Sequence, residues 1–90
     1  MRYNTSETSL YAGIGERILL ARRRAGLSQR ALSLRLGVTH VSISHLERGE
    51  TRADLDNLAA VADALNVPLS DIVVLERRRP RTVEGKADVE

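Results

Sequence analysis

GLSQRALSLRLGVTHVSISHLERG, residues 26–49, contains the same local signal twice, and this repetition decides the fold. Gly26-Leu27-Ser28 and Gly37-Val38-Thr39 lie 11 residues apart. In each of them the glycine can adopt the left-handed conformation that ends a helix, and the hydroxyl group of serine or threonine can cap the next helix. The stretch therefore predicts two short helices, over residues 28–36 and 39–48, joined by a tight turn.

Apolar residues recur at three- and four-residue intervals on both sides of this stretch, which is typical of helices. We predict a first helix over residues 13–24, a fourth over residues 54–65 and a short fifth over residues 69–75. Asn66 and Pro68 end the fourth helix. The core-facing residues predicted in the first and fourth helices are Ile14, Ile18, Ala21, Ala25, Leu55, Leu58, Val61, Ala62 and Leu65. The expected fold class is all-α, with five helices and no strand.

The composition limits the kind of protein that this chain can be. Its 90 residues suffice for one domain, which we divide into an N-terminal arm (1–13), a helical domain (14–75) and a basic, then mixed-charge, disordered tail (76–90). The chain has no cysteine, so we expect neither a disulfide nor a thiolate metal site, as in the reducing cytoplasm. It has neither a membrane span of about 18 apolar residues nor the apolar core of a secretory signal. We expect a cytoplasmic protein without membrane contact.

Charge is distributed unevenly along the chain, although the formal net charge is only +2. Residues 14–52 contain eight arginines and three glutamates, a balance of +5, whereas residues 53–75 contain four aspartates and no basic residue. The first segment suits a polyanionic partner and the second would repel one. Two separately solvated faces would produce the same distribution, so charge alone does not identify a partner.

The predicted helix over residues 39–48 has an apolar side and a polar side. Successive residues of a helix are about 100° apart, which places Ser42, Ile43, Leu46 and Glu47 together, facing the core. The residues that point outward from the other side are His40, Val41, Ser44, His45 and Arg48. A neutral imidazole can donate or accept a hydrogen bond, whereas an imidazolium can only donate.

The histidines and serines of this helix could also suggest a metal site or catalysis. The spacing of the histidines argues against the first, and the residues around the serines argue against the second. His40 and His45 are five residues apart, whereas two metal ligands on one helix face are spaced by about four. No carboxylate is placed to orient a histidine behind Ser42 or Ser44, as a serine nucleophile requires. We expect no enzymatic activity, no metal or other cofactor and no small-molecule ligand.

The helices and their spacing resemble a known family. SQRALSLRLGVTHVSISHLERGE, with its flanks over about residues 14–75, resembles the helix-turn-helix of the Cro/CI-type (xenobiotic-response-element) family, to which the lambdoid phage repressors belong. The matching positions are Ile14-Gly15, Arg22, Gly26-Leu27-Ser28-Gln29, Leu32, Leu36-Gly37-Val38, Ile43-Ser44, Leu46-Glu47-Arg48-Gly49, Leu58, Ala62, Leu65 and Val67. The resemblance implies a compact five-helix, lambda-repressor-like domain whose third helix enters the DNA major groove.

The resemblance also implies a function and a role for individual residues. Members of the family bind double-stranded operator DNA, usually as two-fold dimers, so this chain would be a transcription regulator, more a repressor than an activator, acting as a homodimer at the bacterial nucleoid. The base-contacting positions are occupied by His40, Val41 and His45. The phosphate-contacting positions are occupied by Gln29, Thr39, Ser44, Arg48 and Arg52. Arg22 and Glu47 match a partly buried ion pair between helices 1 and 3.

A few positions depart from the usual pattern of the family. Ser33 stands where alanine is usual, on the inner side of helix 2, and Ala53 replaces a common proline before helix 4. Positions that are more often charged are occupied by Leu19, Leu20 and Leu34. These leucines could pack under the N-terminal arm or form a self-association patch.

The sequence leaves other interpretations open. The chain could be an antitoxin or a restriction-modification controller that regulates its own operon, since both classes share this motif. It could also be a protein-interaction module that uses the helix-turn-helix surface; if a protein partner exists, the acidic helices 4 and 5 would be its natural docking surface. The basic run Arg77 to Arg81 could add DNA contacts or be a solvated tail.

Overall fold

The computed structural model of the chain describes the backbone of residues 3–74 and the side chains of residues 10–74. These residues contain no strand and form α1 (Tyr3–Arg24), α2 (Gln29–Leu36), α3 (His40–Glu47), α4 (Leu55–Ala64) and a 3₁₀ helix (Leu69–Asp71). The all-helical prediction is confirmed. Within the same residues, no helix is both long and apolar enough to cross a membrane.

The predicted count of five α-helices is not confirmed. The segment predicted as the fifth helix contains one 3₁₀ turn, in which the N–H groups of Asp71 and Ile72 donate to the carbonyl groups three residues earlier, at 3.0 and 2.9 Å. A segment this short forms few backbone hydrogen bonds with which to offset the cost of helix nucleation. Leu75, the last residue predicted in that helix, and the predicted tail, residues 76–90, lie outside the described residues.

Helices α2 and α3 begin where the capping signals predict, and α4 begins at its predicted boundary. Ser28 Oγ, Thr39 Oγ1 and Asp54 Oδ1 each accept a hydrogen bond from a backbone N–H in the first turn of α2, α3 and α4, at 2.9, 3.2 and 2.9 Å. Gly37 ends α2 with a φ of 71°, in the left-handed region where a side chain would be strained. Asn66 adopts a φ of 62° after α4, which agrees with the prediction that it ends this helix.

The first helix begins at Tyr3 and not near Gly13, so this predicted boundary is wrong. Residues 3–12 contain no proline that would stop the helix from extending toward the N-terminus. A glycine inside a helix costs only about 1 kcal/mol relative to alanine, which is too little to end a helix by itself. Most of the predicted N-terminal arm is therefore a continuation of α1.

One apolar cluster holds the helices together. Its members are Ile14, Ile18, Ala21, Leu32, Ile43, Leu46, Ala53, Leu58, Val61, Ala62, Leu65 and Ile72. Two residues predicted to face this core are exposed instead. Ala25 lies beyond the last residue of α1, and Leu55, at 62% exposure, is the first residue of α4, at the edge of the core where Ala53 packs.

Candidate nucleic-acid interface

The outer face of α3 is exposed from its first residue. His40, Val41 and His45 are all exposed, with Val41 retaining 50% of its surface, and Arg48 is exposed directly after the helix. Ser44, between them, is half-buried. An exposed row of two imidazoles, a valine and a guanidinium combines hydrogen-bonding groups with an apolar contact, which is what the base edges and phosphates of a DNA groove require.

The N-terminal turn of α3 presents two hydroxyl groups. Thr39 Oγ1 lies 3.0 Å from Ser42 Oγ in addition to capping the helix. The prediction that Ser42 faces the core is wrong, since this residue is exposed. Its position borders the two sides of the helix, and its hydroxyl group hydrogen bonds more favourably with Thr39 at the surface than it would in an apolar core.

The inner face of α3 packs directly on α1. Ile43 and Leu46 are buried, at 1% and 8% exposure. A Cβ atom added to Gly15 of α1 would lie 2.5 Å from the carbonyl oxygen of Glu47 and 2.6 Å from that of Leu46. The backbone of α3 thus approaches α1 to a distance that only glycine permits. This contact fixes the position of α3 relative to α1.

A buried ion pair joins α1 to the last turn of α3. Arg22 Nε donates to Glu47 Oε2 at 2.6 Å and Arg22 Nη2 donates to Glu47 Oε1 at 3.0 Å, so the pair is bidentate. The hydrogen bond to Glu47 raises the pKa of Arg22, against the opposing effect of burial. Arg22 Nη1 also donates to the carbonyl oxygen of Leu27 at 2.9 Å. The side chain of Arg22 therefore ties α3 to the turn that precedes α2.

Gln29 is part of the same cluster, which the sequence did not indicate. Its Nε2 donates to Glu47 Oε1 at 3.0 Å, and the residue is half-buried. The side chain predicted to contact phosphate is thereby directed toward the carboxylate of Glu47. Gln29 directly follows the capping Ser28. This local pattern does not predict a hydrogen-bond partner 18 residues later in the sequence.

Glu50 is the surface residue that sequence reasoning missed. Its Oε1 lies 2.6 Å from His45 Nδ1 and 3.7 Å from Arg48 Nη2, and its side chain is 49% exposed. Gly49, at a φ of 76°, reverses the chain after α3 and brings position 50 beside position 45. A helix-ending glycine followed by a charged residue is the signal that could have indicated this contact.

The remaining residues singled out in the sequence analysis lie on α1, on α2 or in the segment that follows α3. Arg52 is exposed in the segment between α3 and α4. Ser33 is buried, and its Oγ donates to the carbonyl oxygen of Arg30 at 2.6 Å, which satisfies the hydroxyl group that replaces the usual alanine. Leu20 and Leu34 are exposed, at 41% and 78%. Among residues 10–74, whose side chains the structure describes, no three histidine, cysteine, aspartate or glutamate side chains are grouped to hold a metal ion.

Comparison with known proteins finds this fold among regulators. The helix-turn-helix family model matches residues 18–72. An uncharacterized HTH-type transcriptional regulator of Sinorhizobium medicae is 39% identical over 57 residues, which are 63% of this chain and 41% of that protein. Repressor protein C2 of Salmonella phage P22 is 42% identical over 52 residues, which are 58% of this chain and 24% of that protein.

A solved structure extends the likeness to three dimensions. The restriction-modification controller protein C.AhdI from Aeromonas hydrophila superposes with a TM-score of 0.69 and 26% sequence identity, covering 72% of this chain and 94% of that one. In sequence, by contrast, the chain spans less than half the length of both relatives, 41% and 24%. The likeness is therefore one of the helix-turn-helix domain.

Proposed function

The chain belongs to the helix-turn-helix family of the Cro/CI type, and we propose that it is a transcription regulator that binds double-stranded DNA of defined sequence. The observation that carries this proposal is the outer face of α3, where His40, Val41 and His45 are exposed together. Relatives and structural neighbours named as regulators, a repressor and a controller support it.

In the proposed complex α3 lies in the major groove with its N-terminal residues at the base edges. His40 and His45 hydrogen bond to base edges, and Val41 contacts a thymine methyl group. The residues proposed to contact phosphates are Thr39, Ser44, Arg48, Arg52 and, through the part of its amide not used by Glu47, Gln29. Phosphate contacts fix the register of the helix, and base contacts select the sequence.

We further propose that the protein acts as a homodimer and as a repressor in the bacterial cytoplasm. One recognition helix reads only a few base pairs, so a two-fold operator with half-sites about 10 bp apart would double the contacts. A protein bound at such a site within a promoter excludes other proteins from it. The proposal follows the family and the P22 repressor that resembles this chain.

A second candidate is a restriction-modification controller that regulates its own operon. The structural likeness to C.AhdI, which covers nearly all of that chain, favours this candidate. Both candidates require the same α3 surface and the same DNA-binding mechanism. They differ in the genes adjacent to the operator, so recovery of the operator sequence separates them.

Selection from a random duplex library at about 150 mM salt, with sequencing of the bound pool, tests the proposed function. A two-fold symmetric motif is the expected result and would supply the operator. A single asymmetric half-site would support sequence-specific binding and contradict the dimer. No enrichment, with only salt-sensitive binding to every duplex, would contradict the proposal and favour the protein-interaction alternative.

The two histidines have the clearest expected effect on specificity. His40→Ala and His45→Ala should each weaken binding to the selected operator by about 1–3 kcal/mol and change binding to random DNA little, because base contacts distinguish sequences. Ser70→Ala, in the groove beside α1, is a matched control that should change neither. Equal losses on operator and random DNA would contradict a base-reading role.

Arg48 has a different expected signature. Arg48→Ala should weaken binding to every sequence alike and reduce the slope of log affinity against log salt by about 1, because one fewer counterion is released. Arg24→Ala is the control, since Arg24 lines a groove between α1 and the segment with the 3₁₀ helix. A salt slope unchanged by Arg48→Ala would exclude the phosphate contact.

A further inference from the structure

Glu50 is held next to His45 by the way α3 ends. The N–H of Gly49 donates to the carbonyl oxygen of Leu46 at 3.1 Å, and the N–H of Glu50 donates to that of His45 at 3.0 Å. These two bonds form a Schellman motif, in which the residue after the glycine lies against the residue five positions earlier. Two hydrophobic side chains commonly meet at this place, and here a carboxylate meets an imidazole.

The chemistry of the contact fixes which ring nitrogen of His45 carries the proton. Glu50 Oε1 lies 2.6 Å from His45 Nδ1, and an ionised carboxylate can only accept a hydrogen bond. With Glu50 ionised, this contact requires the hydrogen on His45 Nδ1, so the partner selects the tautomer. In the neutral ring Nε2 is then left as an acceptor, free to face a ligand on the exposed side of α3.

We propose that Glu50 is a positioning residue that determines the base preference of His45, an inference that rests on the proposed function. Glu50 holds the imidazole in one orientation and one tautomer, so the neutral ring presents a hydrogen-bond acceptor to DNA. An acceptor pairs with the exocyclic amine of adenine or cytosine and not with the acceptor edge of guanine. Without Glu50 the imidazole can rotate and change tautomer. It would then hydrogen bond equally to base edges that donate and to base edges that accept.

The position of Arg48 separates this role from a simple charge effect. Arg48 Nη2 lies 3.7 Å from Glu50 Oε1, so the carboxylate also lowers the positive potential beside a proposed phosphate contact. Removing Glu50 should therefore leave affinity for random DNA unchanged or raise it. A loss of base preference without a loss of general affinity is the combination that positioning of His45 predicts.

Two substitutions of Glu50 separate geometry from charge. Glu50→Ala removes the acceptor and the charge, whereas Glu50→Gln removes the charge and retains an amide oxygen that can accept from His45 Nδ1. Glu16→Ala removes an equal charge from an exposed position in α1 and is the matched control. Library selection is run with the wild type, these three variants, His45→Ala and the double variant of His45→Ala with Glu50→Ala.

The positions that His45 reads are those whose preference is lost in His45→Ala. At these positions the enrichment of the preferred base over the other bases should fall about tenfold in Glu50→Ala. The same enrichment should be unchanged in Glu50→Gln and Glu16→Ala. In the His45→Ala background Glu50→Ala should cause no further change. An unchanged preference in Glu50→Ala, or a further loss in the double variant, would overturn the inference, because Glu50 would then be neutral or would contact DNA itself.

The tautomer gives a readout that does not require DNA. The ¹⁵N spectrum of the neutral His45 ring should show the proton on Nδ1 in the wild type and in Glu50→Gln, and a shift toward Nε2 in Glu50→Ala. A proton on Nε2 in the wild type would overturn the inference while leaving the proposed function intact. If the wild type enriches no DNA sequence at all, the proposed function fails and this inference fails with it.

Discussion

Replacing Glu47 by alanine is expected to lower the free energy of unfolding by about 3–5 kcal/mol. The substitution leaves the guanidinium of Arg22, whose side chain is 10% exposed, without the carboxylate 2.6 Å from its Nε. It also removes the acceptor of Gln29 Nε2. The loss is large because a buried charge that loses its partner still carries the full cost of its desolvation.

Thermal unfolding measures this effect directly. A domain of this size loses about 4–8 °C of Tm for each kcal/mol, so the expected change is a fall of more than about 12 °C. Glu50→Ala is the matched control, since its exposed pair with His45 should contribute at most about 1 kcal/mol. An unchanged Tm in Glu47→Ala would refute a structural role for the pair.

DNA binding by Glu47→Ala should fall as well, even below its Tm. The pair anchors the last turn of α3 to α1, while the residues proposed to contact bases lie on the same short helix. Replacing Arg22 and Glu47 together by apolar residues of similar volume should recover much of the stability, because no unpaired charge is left. Recovery of stability in the double variant would show that Glu47→Ala destabilises the protein mainly by leaving the charge of Arg22 unpaired, and that the ion pair contributes little net stability.

Gly15→Ala and Gly13→Ala are expected to change stability in opposite directions. At Gly15 the added Cβ would lie 2.5 Å from the carbonyl oxygen of Glu47, so α1 and α3 must separate. Overpacking of this kind costs about 1–3 kcal/mol, and more where the neighbour is backbone that cannot rotate away. At Gly13 the nearest atom is Arg17 Nη1 at 3.5 Å, an ordinary contact with the end of a flexible side chain.

The two glycines are a matched pair because both lie inside α1 and receive the same methyl group. Alanine is favoured over glycine in a helix by about 0.5–1 kcal/mol, so Gly13→Ala should stabilise the protein. Unfolding in urea measures both changes on one scale. Destabilisation by both variants, or by neither, would contradict the close approach of α1 and α3 at Gly15.

The agreement between sequence and structure is greatest where local chemistry acts alone. Ser28, Thr39 and Gly37 end or begin helices through their own side chains or their own backbone freedom, so their neighbours in the chain suffice for a prediction. The start of α1 was predicted too late because the apolar spacing that placed this helix begins only at Ile14. A glycine within a helix is unfavourable by a small amount that the rest of a long helix can offset.

Disagreement is greatest where a side chain chooses among partners distant in sequence. Leu55 continues the apolar spacing of α4 and is nonetheless 62% exposed, whereas Ala53 and Leu58 on either side of it in the sequence are buried. Gln29 has the chemistry of a phosphate ligand and donates to Glu47. At Leu55 packing left the side chain at the surface, and at Gln29 it supplied a partner distant in sequence without deciding the proposed phosphate contact.

The order of the helices, their capping residues and the outward face of α3 follow from the sequence by itself, because helix geometry and capping act over four or five residues. The glycine contact between α1 and α3 and the three-residue cluster around Glu47 were decided by the tertiary structure. They depend on how closely α1, α2 and α3 approach one another, whereas the contact between Glu50 and His45 follows from the local end of α3 at Gly49. Distances of that kind are set when all the helices pack around one core.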